Sequence, residues 1–216
     1  MISNEYKCIH VHIPRTGGSS IEAFFAGKTT LNPTGLSIRA DHRSIHDYRS
    51  NRRFEEYFKF TIVRNPWSKM VSHFIRNCIN RPPKTFEGEY QPRFKKWIKH
   101  LPVSGNGRGR SYNKLSFKTC NQLGWLCDER WKDNIAPEEW KLDVDFVGRF
   151  ENLEEDWDFI SQKIGSKEKL LHMRRGILSD ENVYPVDYRE YYDDETIEIV
   201  CQRYKDDINF FNYEFE

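Results

Sequence analysis

Two short stretches of this chain combine residue types suited to holding negative charge. Pro14-Arg15-Thr16-Gly17-Gly18-Ser19-Ser20 follows the β-rich run YKCIHVHI at residues 6–13. It precedes Ile21, Phe24 and Phe25, which recur at helical spacing, with Glu22 in the first turn. A loop between a strand and a helix N-terminus presents backbone N–H groups and the positive end of the helix dipole to an anion. Gly17 and Gly18 let the backbone come close, Arg15 adds charge, and the hydroxyls of Thr16, Ser19 and Ser20 are further donors. The same residues also make an ordinary strand-to-helix turn with a capping serine, so the loop alone leaves both uses open. A nucleoside-triphosphate loop requires GxxxxGK[ST]; here Ser19 follows Gly18 and the loop has no lysine. A second junction of this kind follows the run YFKFTIV at residues 57–63, where Arg64 ends the strand and Pro66 suits a first helical position. Ser72 lies on the following helix, whose face carries Trp67, Met70, Val71 and Phe74, so Arg64 and Ser72 are candidates to hold a second anion. Two anion sites on adjacent strand–helix units suit a nucleotide phosphorylated at two places.

These residues need a scaffold, and the rest of the chain predicts one. VDFVGRF at 144–150 reads as a strand, and ENLEEDWDFISQKI at 151–164 as a helix with the stripe Leu153, Trp157, Ile160 and Ile164; Glu151 either orients a substrate or caps this helix, the cap being favoured. Residues 194–211 place Ile197, Cys201, Tyr204, Ile208 and Phe211 along one amphipathic helix. Alternating units predict an α/β fold, a parallel sheet covered by helices on both faces, with ligands at the carboxyl ends of its strands. At 216 residues the chain closes one core, so a single domain over 1–216 is expected. Residues 79–140 are less regular, with Pro82-Pro83, the stretch SGNGRGR at 104–110, and Trp97, Trp125, Trp131 and Trp140. Lys plus Arg is 34 and Asp plus Glu is 33, a net charge of +1, so no global field draws the chain to nucleic acid or anionic lipid. No leader pattern and no run of roughly 18 apolar residues is present, which predicts no membrane span and a cytoplasmic protein. Five scattered cysteines without CxxC spacing read as free thiols, with Cys120 and Cys127 the pair nearest in sequence. His10 and His12 share a strand face, but without a third ligand they make a weak metal site.

Taken together, HIPRTGGSSI at 12–21 and VRNPWSKMVSHF at 63–74 resemble the sulfotransferases that use 3′-phosphoadenylyl sulfate (PAPS), the carbohydrate-type branch more than the phenol-type branch. GRFENLEED at 148–156 and YREYYDDETIEIVCQRYKDDINFFNYEF at 188–215 resemble the strand–helix unit and closing helix of the same branch; residues 79–140 are unmatched. The resemblance implies a P-loop-like fold without a metal, a 5′-phosphosulfate held by residues 14–20, and a 3′-phosphate held by Arg64 and Ser72. Arg15 stands where many relatives carry lysine; a planar guanidinium binds sulfuryl oxygens but is a less movable point charge. The implied reaction is in-line sulfuryl transfer to a hydroxyl or amine of a small-molecule or glycan acceptor, with the acceptor side formed by 79–140. The branch places a histidine between its two phosphate motifs, which makes His42, beside Asp41, the first choice of base; His46, on the same face if the segment is helical, is the alternative. Arg174 and Arg175, followed by Gly176, are candidates to close over the 3′-phosphate, and the tryptophans to stack on sugar faces or fill the core. A P-loop-type kinase or other phosphotransferase, and a nucleotide binder without catalysis, are the competing readings.

Overall fold

A run of β-branched and aromatic residues between a turn and a proline has little choice but to be a strand, and Cys8–Val11 (β2) and Phe58–Val63 (β3) form where such runs occur. The computed structural model describes residues 1–27, 42–79, 90–101, 121–127, 141–170 and 187–216. Asp41, Pro82, Pro83, residues 104–110, Cys120, Trp131, Trp140, Arg174, Arg175 and Gly176 lie outside the described residues. The chain divides into two compact units, Met1–Arg64 with Gln122–Gly176, and Asn65–Asn121 with Ile177–Glu216.

The first unit holds a four-stranded sheet in the order β1-β2-β3-β4, where β1 is Ile2–Ser3 and β4 is Phe146–Arg149. β2, β3 and β4 are parallel, Cys8 pairing with Phe58 and Phe60 with Phe146. The short edge strand β1 runs antiparallel to β2, a feature the sequence reading did not include. Helix α1 (Gly18–Phe25) follows β2, and α5 (Leu153–Lys163) follows β4 after a single 3-10 turn at Phe150–Asn152. Ile21 and Phe24 of α1 and Trp157, Ile160 and Ile164 of α5 pack with Cys8, Phe60 and Ile62 in one apolar layer. Each large side chain buried in this way contributes roughly 1.5–3 kcal/mol. On the other side of the same strands Ile9, Val11, Thr61 and Val63 are also buried, as parallel strands require. A four-residue helix, α2 (Ile45–Tyr48), is opened by Ser44, whose N–H donates to Asp47 Oδ2 at 2.9 Å.

The second unit is helical. Helix α3 (Pro66–Ile79) begins at its proline because Asn65 Oδ1 accepts from the N–H of Trp67 at 3.0 Å. With α4 (Tyr90–Lys99), α6 (Asp194–Arg203) and α7 (Lys205–Phe211) it surrounds Phe74, Phe94, Tyr191 and Tyr192, whose rings meet edge to face. Asp193 caps α6 by accepting from Thr196 N at 2.9 Å, and Lys95 holds its carboxyl down at about 2.

Three local expectations are corrected. The cap of α1 is Gly17 in a left-handed conformation, a residue with no side chain to bond the helix end. Glu151 does not cap α5, which starts two residues later with Asn152 at the cap position; Asp156, inside its first turn, accepts instead from the N–H of Arg149. The closing helix is broken at Tyr204, whose backbone leaves helical geometry while its buried hydroxyl reaches Met70 Sδ at 3.1 Å. One irregular residue keeps the three-and-four spacing on both sides, which is why the periodicity read as continuous. Cys8, Cys127 and Cys201 are free thiols, and burial pushes Cys8 up to about 12. Among the described residues no helix is long and apolar enough to cross a membrane.

Candidate functional site

The loop after β2 is shaped by backbone conformation. Arg15 sits at φ 73° and Gly17 at φ 86°, two left-handed residues flanking Thr16. For a non-glycine residue this conformation costs about 1–2 kcal/mol and persists only where surroundings impose it. Here they do: Thr16 is buried, and its hydroxyl donates to Ile13 O at 2.9 Å, tying the turn to the strand that feeds it. The hydroxyl of Thr16 therefore serves the loop itself. Successive residues of alternating handedness can turn their N–H groups to one side, and α1 opens directly after this loop at Gly18. Ser20 N donates to Gly17 O at 2.9 Å, and Ser19 and Ser20 are both half-buried at the mouth of the helix.

His12 lies behind the loop. An ideal Cβ on Gly18 would sit 2.1 Å from His12 Cδ2 and 2.3 Å from its Nε2, so only glycine lets the helix end rest on this ring. His12 Nδ1 meets Glu22 Oε1 at 2.9 Å, both residues being buried. Glu22 is one turn into α1, where the Cβ vectors tilt back toward the N-terminus and bring its carboxylate to the strand. His10 stacks between Phe60, at 5.0 Å, and His12, at 5.6 Å. Neither ring nitrogen of His10 has a hydrogen-bond partner, and desolvation, helped by the neighbouring His12, holds its pKa well below 6.5. The expectation that His10 and His12 share a face holds, and His12 is engaged by a carboxylate.

His42 joins the same group. Its Nδ1 is 3.1 Å from the carbonyl of His12, and the two rings are 4.3 Å apart. A carbonyl can only accept, so Nδ1 carries a proton. His42 precedes α2, which starts at Ile45; it therefore does not share a helical face with His46, contrary to the i, i+4 expectation. Trp125, fully buried in a short 3-10 turn at Leu123–Trp125, stands edge-on to His42 at 6.4 Å.

Arg64 ends β3 beside this loop. Its guanidinium donates to Arg15 O at 3.2 Å and lies 4.0 Å from the centre of the Phe150 ring. The first unit thus brings residues 14–20, His42 and Arg64 together at the carboxyl ends of β2 and β3. Ser72 belongs to the second unit, where it is buried on α3. Sequence reasoning missed Glu22 as a partner of His12, Gln122 and Phe150. A lone carboxylate in an otherwise apolar helix was the available signal for Glu22. Gln122 lies in the unmatched segment and gave none, while Phe150 stood inside the strand–helix motif without any mark of a polar role.

Parallel strands β2, β3 and β4, with a glycine-rich loop, an arginine and a histidine at their carboxyl ends, place this chain among open-sheet α/β proteins. The family model described as the sulfotransferase family matches residues 1–214, and the chain belongs to that family. Carbohydrate sulfotransferase 14 of Homo sapiens is 26% identical over 174 residues, covering 72% of this chain and 44% of that protein. Carbohydrate sulfotransferase 9 of Homo sapiens is 24% identical over 240 residues, covering 98% of this chain and 52% of its own length. An uncharacterised protein of Archaeoglobus fulgidus is 30% identical over 133 residues, covering 60% of this chain and 84% of its own. The chain spans about half the length of the carbohydrate sulfotransferases it matches. No solved structure matches significantly.

Proposed function

We propose that this chain transfers the sulfuryl group of 3′-phosphoadenylyl sulfate to a hydroxyl or amine of a carbohydrate acceptor, working as one sulfotransferase domain. The observation that carries the reading is the contact between Arg64 and the carbonyl of Arg15, which sets a fixed cation beside a backbone-lined loop that has no lysine. A donor with a 5′-phosphosulfate and a separate 3′-phosphate matches a loop and a neighbouring guanidinium. The part of Ser72 in holding the 3′-phosphate rests on the family resemblance alone.

In this reading the 5′-phosphosulfate lies against N–H groups of residues 15–19, with Arg15 on the sulfuryl oxygens. His42 Nε2 accepts the proton of the acceptor hydroxyl as its oxygen bonds to sulfur. The bond from sulfur to the bridging oxygen breaks, and 3′,5′-diphosphoadenosine leaves with the electron pair. Charge growing on the bridging oxygen is met by donors already in place, so little reorganisation is needed. The carbohydrate acceptor is inferred from the sulfotransferases this chain resembles in sequence.

The test is thermal melting with 3′,5′-diphosphoadenosine and, separately, with magnesium-ATP. At about 100 times its Kd the first ligand should stabilise the protein by roughly 2.7 kcal/mol without any metal. An equal or larger shift with magnesium-ATP would favour a phosphotransferase and overturn the proposal.

A further inference from the structure

Arg64 is held at two levels. Its main chain is gripped by Gln122, a fully buried amide whose Oε1 accepts from Arg64 N at 2.8 Å and whose Nε2 donates to Arg64 O at 2.9 Å. This fixes the backbone but leaves a long side chain with several torsions. The guanidinium in turn sits over Phe150 at 4.0 Å from the ring centre, with Nη1 on Arg15 O at 3.2 Å. The edge of the same ring is against the first loop: a Cβ placed on Gly17 would lie 3.2 Å from Phe150 Cδ2 and 3.4 Å from Cε2. One half-buried aromatic therefore touches both the glycine of the backbone-built loop and the arginine of the next strand end.

We propose that Phe150 is a positioning residue which aims the Arg64 guanidinium and so sets the preference for a 3′-phosphorylated nucleotide; this rests on the reading that Arg64 binds the 3′-phosphate. Stacking holds a guanidinium by its face and uses none of its N–H donors, all of which lie in the plane. The ring quadrupole supplies attraction and restricts rotation at once. Because the ring also rests on Gly17, its position is tied to that of the loop, and the cation keeps a fixed relation to the 5′ end of the ligand.

The experiment measures, by calorimetry, the affinities of 3′,5′-diphosphoadenosine and of adenosine 5′-phosphosulfate for the wild type and for Phe150→Leu, Phe150→Met, Phe150→Tyr and Arg64→Ala. Leucine and methionine keep apolar bulk without the π face, so either should weaken the 3′-phosphorylated ligand by about 5- to 30-fold and the other ligand by less than about twofold. Methionine, being unbranched, adapts where leucine packs badly. Tyrosine should retain near wild-type selectivity. In the Arg64→Ala background, Phe150→Leu should have no further effect, because a residue acting through Arg64 loses its object. Equal weakening of both ligands, no weakening of either, or an undiminished effect without Arg64 would each overturn the positioning role. If Arg64→Ala fails to discriminate between the ligands, the 3′-phosphate reading itself fails; if it discriminates and neither Phe150→Leu nor Phe150→Met does, only this inference falls.

Discussion

The loop at residues 14–20 and the strand end at Arg64 are neighbours, yet they are made by opposite means. The loop is built from backbone: left-handed residues at 15 and 17, and the ring of His12 pressed where Gly18 has no side chain. The strand end is built from side chains, the Gln122 amide holding the main chain of Arg64 and the Phe150 ring lying under its guanidinium. One region depends on an absent Cβ, the other on groups that are present. The loop should thus be intolerant of additions and graded by nothing, whereas the strand end should respond to each deletion in proportion to the contact removed.

The largest effect tests the loop by addition. Gly18→Ala puts a methyl group 2.1 Å from a buried ring that Glu22 holds in place. It should destabilise by about 3 kcal/mol, lower Tm by roughly 6–12 °C and leave no measurable turnover. A wild-type melt for this variant would erase the contrast. Next is His42, which hangs from the loop through the carbonyl of His12. His42→Ala should lower turnover with a working acceptor by about two to four powers of ten while nucleotide affinity, measured by calorimetry, stays within about twofold. Retained turnover, or a loss seen only in His46→Ala, would move the base elsewhere. Deletion at the strand end should be milder and selective. Arg64→Ala removes a charge-assisted contact worth about 1.5–3 kcal/mol, so 3′,5′-diphosphoadenosine should bind about 10- to 100-fold more weakly while adenosine 5′-phosphosulfate is spared.

The smallest effect lies beneath the loop. The buried His10 ring has a folded pKa well below 6.5, so below that pH the unfolded chain takes up a proton that the folded chain refuses. Stability must then fall as pH drops through about 6.5, with a slope of up to roughly 1.4 kcal/mol per pH unit from this group. His10→Phe keeps a ring against Phe60 and removes the two unpartnered nitrogens. Denaturant melts between pH 7 and pH 5 should show a flatter acid limb for this variant, and an unchanged limb would assign the acid sensitivity to other groups.

The contrast between the regions also explains what was legible in the sequence. Gly17, Gly18 and the proline-led helix at Pro66 were readable because special backbone conformations demand special residues. The strands were readable from their β-rich runs, and α5 from Trp157, Ile160 and Ile164 at helical spacing, all of them buried. Side-chain clamps leave no such mark. A glutamine that grips a main chain 58 residues away in sequence is spelled like any surface glutamine. Phe150 read as one more apolar residue at a strand end, since nothing in a sequence says that an aromatic faces a cation. The break at Tyr204 was hidden because a single irregular residue does not disturb the apolar spacing.

The parallel pairing of β2 with β3 and of β3 with β4 carries a last consequence, in the entropy of closing chain loops. Cys8 must find Phe58, and Phe60 must find Phe146, across long intervening segments. The closure penalty grows only with the logarithm of length, so doubling such a segment costs about 0.6 kcal/mol. Lengthening the connections between Val63 and Phe146, away from Arg64, α3 and Gln122, therefore costs little closure entropy while the three strand ends keep their register. In a fold wired this way, the length of the connections and the register of the strand ends are set by separate energetic terms.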